Sequence, residues 1–402
     1  MSADHMGFYN IEDLRQGAKR RLPHGIFEFI DGGAEDGIGV QNNRDAYTSL
    51  KVKNRVLIDV SQRSAETEIF GKKIKMPYGI SPTGAGGLVY YGGEIGLAKA
   101  AARMGVPCTV ATNALLPMEE IAEAAGGNLW FQLYMWADKE MSMKFLDRVK
   151  ATGFETLIVT VDGPVGPNRE YNKKNGFHAP LKYTPKLISQ VLARPGWCYR
   201  VLLKQYLNRG AFRKENYPEE IERRVTVASE EMSVVKTDRQ SWEDIRKIRD
   251  VWKGNLLIKG LQSAEDAVLA ADEGLEGVIL SNHGGRYVDC AAAPLQVLPE
   301  TKAAVGDRIK IIIDSGARRG SDLVKAIALG ADMVMSGRPT LFGAAAGNEA
   351  GAYRALEIFY DEMDRVMAQL GLNTIEEIGP QIFWNPPEWV PRPQLGFRAA
   401  AE

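Results

Sequence analysis

Eight short apolar segments, each rich in β-branched or aromatic residues and each ending in small or polar residues, recur along the chain. They lie at 76–84, 106–113, 129–134, 156–163, 255–260, 277–284, 309–316 and 333–339. Most of the stretches between them have the composition of helices. Continuous apolar strands that alternate with helices indicate an α/β protein with a parallel sheet covered by helices. Eight such units predict a (β/α)8 barrel, the TIM barrel, whose chemistry lies at the carboxyl ends of its strands.

Two segments depart from this regular alternation. Residues 1–75 precede the first strand, and we expect them to cover the bottom or one side of the barrel. About ninety residues separate the fourth and fifth strands, far more than an ordinary connection between a strand and a helix needs. This insertion, residues 163–240, leaves from the mouth of the barrel. We expect it to form a lid within a single domain that spans residues 1–402.

The composition is that of a soluble globular protein, with 45% hydrophobic and 25% charged residues. A formal net charge of -1 provides no overall field that attracts nucleic acid. Cys108, Cys198 and Cys290 have neither metal-ligand spacing nor the pattern of a disulfide framework, which is typical of a reducing compartment. We therefore expect a cytoplasmic protein without a metal ion and without a nucleic-acid partner.

Polar side chains end all eight predicted strands, so the barrel would gather them at its mouth. They are Thr83, Asn113, Tyr134, Asp162, Lys259, His283, Asp314 and Arg338. An ordinary turn residue explains any single one of them as well as a functional role does. A complete polar ring at one end of an apolar barrel, however, indicates a binding site.

The loops after the seventh and eighth strands predict a phosphate site. Glycines precede helix starts in 314–322 and 336–339, where free backbone N–H groups would lie near Arg318 and Arg338. A turn with surface arginines is the simpler alternative. We expect a ligand that carries a phosphate, either a substrate or a cofactor such as FMN.

The remaining polar groups suit the oxidation of an acid. His283 could act as a general base near neutral pH, with Asp162 holding its ring in one tautomer. Arg169 and Arg286 could clamp a carboxylate in a bidentate manner. Lys259 could stabilise negative charge that develops on an acceptor ring.

The chain resembles the FMN-dependent 2-hydroxy acid oxidases and dehydrogenases. The most specific motif is SNHGGRxxD at 281–289. Nine further motifs occur in order along most of the chain, seven before this motif and two after it. They lie at 22–36, 43–47, 82–84, 131–134, 160–162, 169–170, 259–260, 314–322 and 337–339. This resemblance implies bound FMN and the oxidation of an (S)-2-hydroxy acid to the 2-oxo acid.

The resemblance also implies roles for individual residues. It makes His283 the base, with Asp162 as its partner, and it places Lys259 beside the flavin ring. The residues expected to contact the cofactor are Pro82, Thr83, Gly84, Gln132, Thr160, Lys259, Ser281, Asp314, Gly316, Arg318, Gly337 and Arg338. Those expected to contact the substrate are Phe29, Asn113, Tyr134, Arg169, His283 and Arg286.

The chain departs from the family pattern at the substrate end. Phe29 stands where the family usually has a tyrosine, and Asn113 stands where glycolate oxidases have a tryptophan. Gly84, together with 193–197 and 289–291, resembles the mandelate dehydrogenase subgroup. The resemblance therefore implies a larger, aromatic substrate and a separate electron acceptor, either a quinone or oxygen. It also implies a homotetramer.

The first part of the insertion is strongly basic. Residues 171–214 contain ten lysines and arginines and no aspartate or glutamate, interleaved with aliphatic and aromatic residues. Such a stretch can lie on an anionic bilayer. We expect a basic lid that contacts an anionic membrane, and the resemblance to the mandelate dehydrogenase subgroup implies its inner face. An ordinary lid or an oligomer contact is the alternative.

Three other functions compete with this interpretation. An oxygen-using 2-hydroxy acid oxidase or monooxygenase would share the same site residues. A flavin-free aldolase or isomerase with a phosphate ligand would use Lys259 to form a Schiff base. A family member that has lost activity would act as a binding protein, an alternative that Phe29 and Asn113 leave open.

Overall fold

The structure of this chain is a computed structural model, which describes residues 7–177, 181–221, 223–226 and 238–390. Within these residues the chain begins with three helices and three short strands. They are α1 (Ile11–Arg21), α2 (His24–Asp31), α3 (Ile38–Ser49), β1 (Lys51–Val52), β2 (Thr67–Ile69) and β3 (Lys72–Ile74).

Eight parallel strands of the described chain close into the predicted barrel. They are β4 (Tyr78–Ile80), β5 (Cys108–Ala111), β6 (Leu129–Leu133), β7 (Thr156–Thr160), β8 (Asn255–Leu261), β9 (Gly277–Leu280), β10 (Lys310–Ile313) and β11 (Met333–Ser336). The strands pair in chain order, and β11 closes the ring by pairing with β4. Every residue of β5, β7, β9 and β11 is buried, since side chains of these strands face either the barrel interior or the helices. That double burial explains the continuous apolar segments of the sequence.

The remaining helices connect and cover these strands. They are α4 (Gly86–Val89), α5 (Gly93–Met104), α6 (Met118–Ala125), α7 (Lys139–Ala151), α8 (Glu170–Asn175), α9 (Pro185–Leu192), α10 (Pro195–Trp197), α11 (Lys204–Arg209), α12 (Trp242–Val251), α13 (Ala264–Asp272), α14 (Pro294–Val305), α15 (Gly320–Ala328) and α16 (Arg338–Leu370). The hydroxyl of Ser263 caps α13 by accepting the Asp266 backbone N–H at 3.1 Å. After α16, a 3-10 turn (Pro380–Ile382) leads into β12 (Phe383–Trp384), which pairs with β1.

The β2–β3 hairpin closes the bottom of the barrel. Its Ile69 and Ile74 pack against interior side chains that include Trp130 of β6. The segment before the barrel was predicted to cover the bottom or one side, but it also reaches the mouth. There, the Ala34 backbone N–H donates to the Gly285 carbonyl at 2.8 Å.

The insertion between β7 and β8 lies over the mouth. Its helices α8 to α11 include a π-helical stretch, Cys198–Leu203. The insertion is attached to the N-terminal segment, because Gln190 Oε1 accepts the Gly25 backbone N–H at 2.8 Å. It is attached to α4, which follows β4, by Trp197, whose indole donates to the Leu88 carbonyl at 2.8 Å. Residues 178–180, 222 and 227–237 of the predicted lid lie outside the described residues. None of the described helices combines the length and the hydrophobicity that crossing a bilayer requires.

Candidate active site

A cavity of about 1750 Å³ occupies the mouth of the barrel and continues beneath the insertion. Sites for one small ligand typically measure about 300–1000 Å³, so this cavity can hold two ligands together. Most predicted site residues line it: Phe29, Pro82, Thr83, Gly84, Asn113, Gln132, Tyr134, Thr160, Arg169, Lys259, His283, Arg286, Asp314, Gly316, Arg318, Gly337 and Arg338. Asp162 and Ser281 lie behind the wall, and each contacts a lining residue.

A tight turn after β9 places His283 in the cavity. His283 has a φ of +57°, and Gly284 and Gly285 continue in the left-handed region at +69° and +71°. A Cβ atom on Gly285 would lie 2.5 Å from the Val40 backbone nitrogen, so this position requires glycine. The His283 backbone N–H donates to Ser281 Oγ at 3.0 Å. The histidine and the two glycines thus form one structural unit that aims the imidazole ring inward.

The His283 ring is oriented by Asp162. His283 Nδ1 lies 2.9 and 3.0 Å from the two carboxylate oxygens. Because a carboxylate only accepts, Nδ1 carries the proton and Nε2 is left as the acceptor facing the cavity. Nε2 lies 3.4 Å from the Tyr134 hydroxyl.

Burial and the neighbouring charges set the protonation of this pair. Burial lowers the pKa of His283 below its usual value, although Asp162 opposes that shift. Burial raises the pKa of Asp162, but the charge and hydrogen bond of His283 outweigh it and leave that pKa lowered. At neutral pH the site therefore holds a carboxylate and a neutral imidazole, which is the form that a general base requires.

Lys259 provides a fixed positive charge next to this base. Its ammonium group lies 2.8 Å from Asp314 Oδ2 and donates to Ser281 Oγ at 2.6 Å. Burial lowers the pKa of Lys259, but the charges of Asp314 and Asp162 outweigh burial and raise it overall. A Schiff base requires a neutral amine, so this environment argues against the flavin-free aldolase.

Arg169 and Arg286 form a positive cluster on the substrate side. Arg286 Nη1 donates to the Gly32 carbonyl at 2.9 Å, and the guanidinium lies 5.2 Å from the centre of the Phe29 ring. Arg169 donates to the Arg286 carbonyl at 3.3 Å. Burial and the charge of Arg169 lower the pKa of Arg286 to about 10, so it stays protonated at neutral pH. Neither arginine forms an ion pair with a described acidic residue, and the cluster favours an anionic ligand.

A second positive cluster lies at the ends of β10 and β11. Burial lowers the pKa of Arg318 to about 10 and that of Arg338 to about 9, and neighbouring arginines add to both shifts. Gly316, at a φ of +94°, lies directly against the Asn43 carbonyl, where a Cβ atom has no room. Within the part of the chain that is described, neither arginine is in an ion pair. A cluster of this kind suits the phosphate expected from the sequence, and that role stays a prediction.

Three barrel residues in the cavity wall carry unsatisfied polar atoms. Ser81 Oγ, Gln132 Nε2 and Thr160 Oγ1 are buried, and they have no hydrogen-bond partner among the described residues. Leaving a buried polar group unsatisfied costs about 1–3 kcal/mol, so a ligand that pairs with these three atoms would relieve that cost. The polar edge of a flavin ring, with both donors and acceptors, fits such a wall.

Among the lining residues that were not predicted, three complete the polar and aromatic part of the wall. Tyr287 packs edge-on against His283 with ring centres 4.6 Å apart. It lies inside the SNHGGRxxD motif, which is the one signal that could have identified it. Ser81 directly precedes the predicted Pro82. Tyr217 donates to Asn113 Oδ1 at 2.7 Å, and no local pattern within the insertion singles it out.

Known proteins match most of this chain. A profile of the family described as FMN-dependent dehydrogenase matches residues 18–385. The chain is 38% identical over 382 residues to (S)-mandelate dehydrogenase of Pseudomonas putida, covering 94% of each chain. It is 36% identical over 370 residues to L-lactate dehydrogenase of Vibrio cholerae, covering 91% of this chain and 96% of the relative.

Solved structures give the same picture. A crystal structure of the monotopic membrane protein (S)-mandelate dehydrogenase matches with a TM-score of 0.87 and 37% identity, covering 94% of this chain and 100% of that chain. Mandelate oxidase with (S)-2-phenylpropionate matches with a TM-score of 0.77 and 29% identity, covering 94% of this chain and 98% of that chain.

Proposed function

Because this chain belongs to the family of FMN-dependent dehydrogenases, we propose that it oxidises a 2-hydroxy acid with an aromatic side chain to the 2-oxo acid. The observation that carries the proposal is the His283–Asp162 pair beside the arginine cluster in one cavity. The similarity to mandelate and lactate dehydrogenases supports the substrate class.

FMN is the cofactor of this family, and the residues of the cavity fit it. Arg318 and Arg338 would hold its phosphate, and Gln132, Thr160 and Lys259 would hold its ring. When bound, FMN supplies an acceptor for the two electrons that leave the substrate.

The side chains of this chain would do the remaining work. Arg169 and Arg286 bind the substrate carboxylate and so orient the hydroxyl-bearing carbon toward His283. His283 Nε2 accepts a proton from the substrate, and Asp162 stabilises the imidazolium that results. Tyr134 donates a hydrogen bond to the substrate, and Lys259 supplies a fixed positive charge beside the cofactor.

Anaerobic reduction of the bound flavin tests this proposal. The purified protein is mixed with glycolate, lactate or mandelate, and bleaching of the flavin absorbance is followed. We expect mandelate to reduce the flavin fastest, and we expect denaturation to release FMN. A protein that binds no FMN, or whose FMN no 2-hydroxy acid reduces, contradicts the proposal. Repeating the turnover with oxygen and with a soluble quinone separates an oxidase from a dehydrogenase.

We further propose that the basic stretch 171–214 binds an anionic membrane surface. Its described part exposes several large apolar side chains: Tyr183, Ile188, Leu192, Tyr199, Leu202, Leu203, Tyr206 and Leu207. Apolar side chains among basic residues suit the interface of a bilayer, where each lysine or arginine contributes about 1 kcal/mol. The similar mandelate dehydrogenase is itself described as a monotopic membrane protein.

The same surface would give a membrane-dissolved acceptor access to the site. Ile188, Leu192, Leu202 and Tyr206 are exposed, and they also line the cavity. An apolar path from the outer surface to the cavity suits a quinone better than a soluble acceptor.

Sedimentation with liposomes tests the membrane proposal. We expect binding to anionic vesicles that weakens with added salt, because salt screens the charge attraction. Leu207→Ser should weaken binding, whereas Leu57→Ser, at a position exposed outside this stretch, should not. A protein that stays in the supernatant at low salt contradicts the proposal.

The assembly is also a proposal. We propose that the full chain, 1–402, works as one functional unit and forms a homotetramer, which the family resemblance supports. Light scattering in solution measures the mass of the assembly directly, and a monomeric mass contradicts the tetramer.

A further inference from the structure

Asn113 lies in the cavity wall, where it contacts a residue of the insertion. It follows the end of β5, and its Cβ atom lies 2.9 Å from where a Cβ atom on Gly84 would be. Its Oδ1 accepts the Tyr217 hydroxyl at 2.7 Å. Tyr217 is buried and packs edge-on against Trp136, with ring centres 5.8 Å apart. The pocket expected from a small residue at position 113 is therefore partly filled by Tyr217.

Lys214 fixes the direction of this hydrogen bond. Its Nζ lies 3.4 Å from the Tyr217 hydroxyl and 4.7 Å from the centre of that ring. An ammonium group can only donate, so the Tyr217 oxygen accepts from Lys214, and the phenolic proton is left for Asn113 Oδ1 at 2.7 Å. The amide of Asn113 is therefore held with its oxygen toward Tyr217.

The opposite side of the amide offers a donor to the cavity. With Oδ1 engaged by Tyr217, the Nδ2 group of Asn113 finds no acceptor among the described side chains and backbone carbonyls, while the residue lines the cavity. An N–H group placed this way selects a ligand that carries an acceptor, because a ligand without one leaves the donor unpaired. An apolar wall would accept a plain hydrocarbon group equally well.

We propose that Asn113 is a specificity-determining residue that donates a hydrogen bond to an acceptor on the side chain of the substrate. This inference rests on the proposed function and narrows it. The substrate class is a 2-hydroxy acid whose aromatic ring carries an oxygen substituent, such as an ether, a hydroxyl or a carbonyl. Arg169 and Arg286 hold the carboxylate. Asn113, which Tyr217 of the insertion orients, donates a hydrogen bond to the oxygen substituent of the ring.

A pair of near-isosteric substrates tests the proposal. Methoxy-substituted and ethyl-substituted mandelates differ in one ether oxygen, and both the meta and the para forms are compared. The readout is kcat/KM for anaerobic reduction of FMN in the holoenzyme. For at least one ring position we expect the wild type to prefer the methoxy form roughly fivefold to tenfold, the effect of one net hydrogen bond. Equal values at both positions overturn the proposal.

Variants of Asn113 and Tyr217 test whether Asn113 causes the preference for the methoxy substrate. Asn113→Leu keeps the approximate volume but removes the donor, and it should bring the ratio to about one. Asn113→Asp has no N–H to donate and should reverse the preference by repelling the ether oxygen. Tyr217→Phe frees the amide to rotate and should lower the ratio only partly. A methoxy preference that persists in both Asn113 variants overturns the proposal.

Unsubstituted mandelate, measured beside the substituted forms, separates this inference from the proposed function. If unsubstituted mandelate reduces the flavin while the wild type shows no methoxy preference, only the role of Asn113 fails. If no mandelate reduces the flavin, the proposed function fails with it.

Discussion

The two ends of the cavity are built from different parts of the chain. The cofactor end consists almost entirely of residues at the ends of barrel strands, such as Gln132, Lys259 and Asp314, which are buried. The substrate end includes Phe29 from α2 and Tyr217 from the insertion, together with residues from the barrel. One end is thus part of the scaffold, and the other combines barrel residues with side chains from connecting segments.

This difference separates two properties of the site. A residue at a barrel strand end is fixed by strand pairing on both sides, so a change there disturbs the scaffold. A side chain on a connecting segment can be replaced while the barrel stays intact. We infer that holding the cofactor and choosing the substrate are separable, and the following predictions test that inference in order of expected effect.

His283→Ala should stop the chemistry without releasing the cofactor. Loss of a general base lowers a rate by about 10²–10⁴-fold, and the measurement is the anaerobic rate of FMN reduction. His24→Ala, at an exposed position on α2, is the control. A His283 variant that loses FMN would show that the two ends are not separable, and one that reduces FMN at the wild-type rate would exclude this base.

Lys259→Met should damage both the fold and the cofactor site. Removing this cation leaves Asp314 as a buried, uncompensated carboxylate, which costs about 3–5 kcal/mol in the free energy of unfolding. Lys310→Met is a matched control, because Lys310 pairs with Asp332 at the same 2.8 Å but at a much more exposed site. That control should cost less than about 1 kcal/mol. Equal losses in denaturant unfolding would contradict a structural role for the buried pair.

The two ends of the cavity also differ in how well the sequence predicts them. The barrel and the polar ring at its mouth were predictable because each depends on a local pattern, an apolar strand and the polar residue that ends it. The structure confirms the barrel, and the comparisons confirm the family and FMN. The roles of individual site residues stay predictions.

The substrate end was less predictable because it depends on contacts between distant segments. The Tyr217–Asn113 hydrogen bond joins positions 104 residues apart, and the contact of Ala34 with Gly285 spans an even longer stretch. No periodicity encodes such contacts. Ser281 shows the same limit at short range, since its motif indicates the site but not that its hydroxyl engages Lys259 behind the wall.

Gly84→Ala tests where the two ends meet, because Gly84 belongs to the cofactor end but contacts Asn113 of the substrate end. The added methyl would lie 2.9 Å from Asn113 Cβ, and overpacking of this kind costs about 1–3 kcal/mol. The measurement is the thermal unfolding temperature together with FMN content. Adding Asn113→Gly removes the clashing atom, so the double variant should be more stable than the two separate losses predict. If the stability losses of the two single variants simply add in the double variant, the contact with Asn113 does not cause the loss in Gly84→Ala.

The smallest expected effect is a pH shift at the His283–Asp162 pair. Burial lowers the pKa of His283, and only the neutral ring can accept a proton, so flavin reduction should lose rate as the pH falls through that lowered pKa. The acid limb should therefore lie below the ordinary histidine value of about 6.5. Asp162 opposes the shift, so Asp162→Asn removes the influence that raises the pKa and should move the limb to still lower pH. The same variant should reduce the plateau rate, because no carboxylate then stabilises the imidazolium. A limb that moves to higher pH in Asp162→Asn, measured as kcat/KM for anaerobic reduction, would contradict the arrangement of charges around this base.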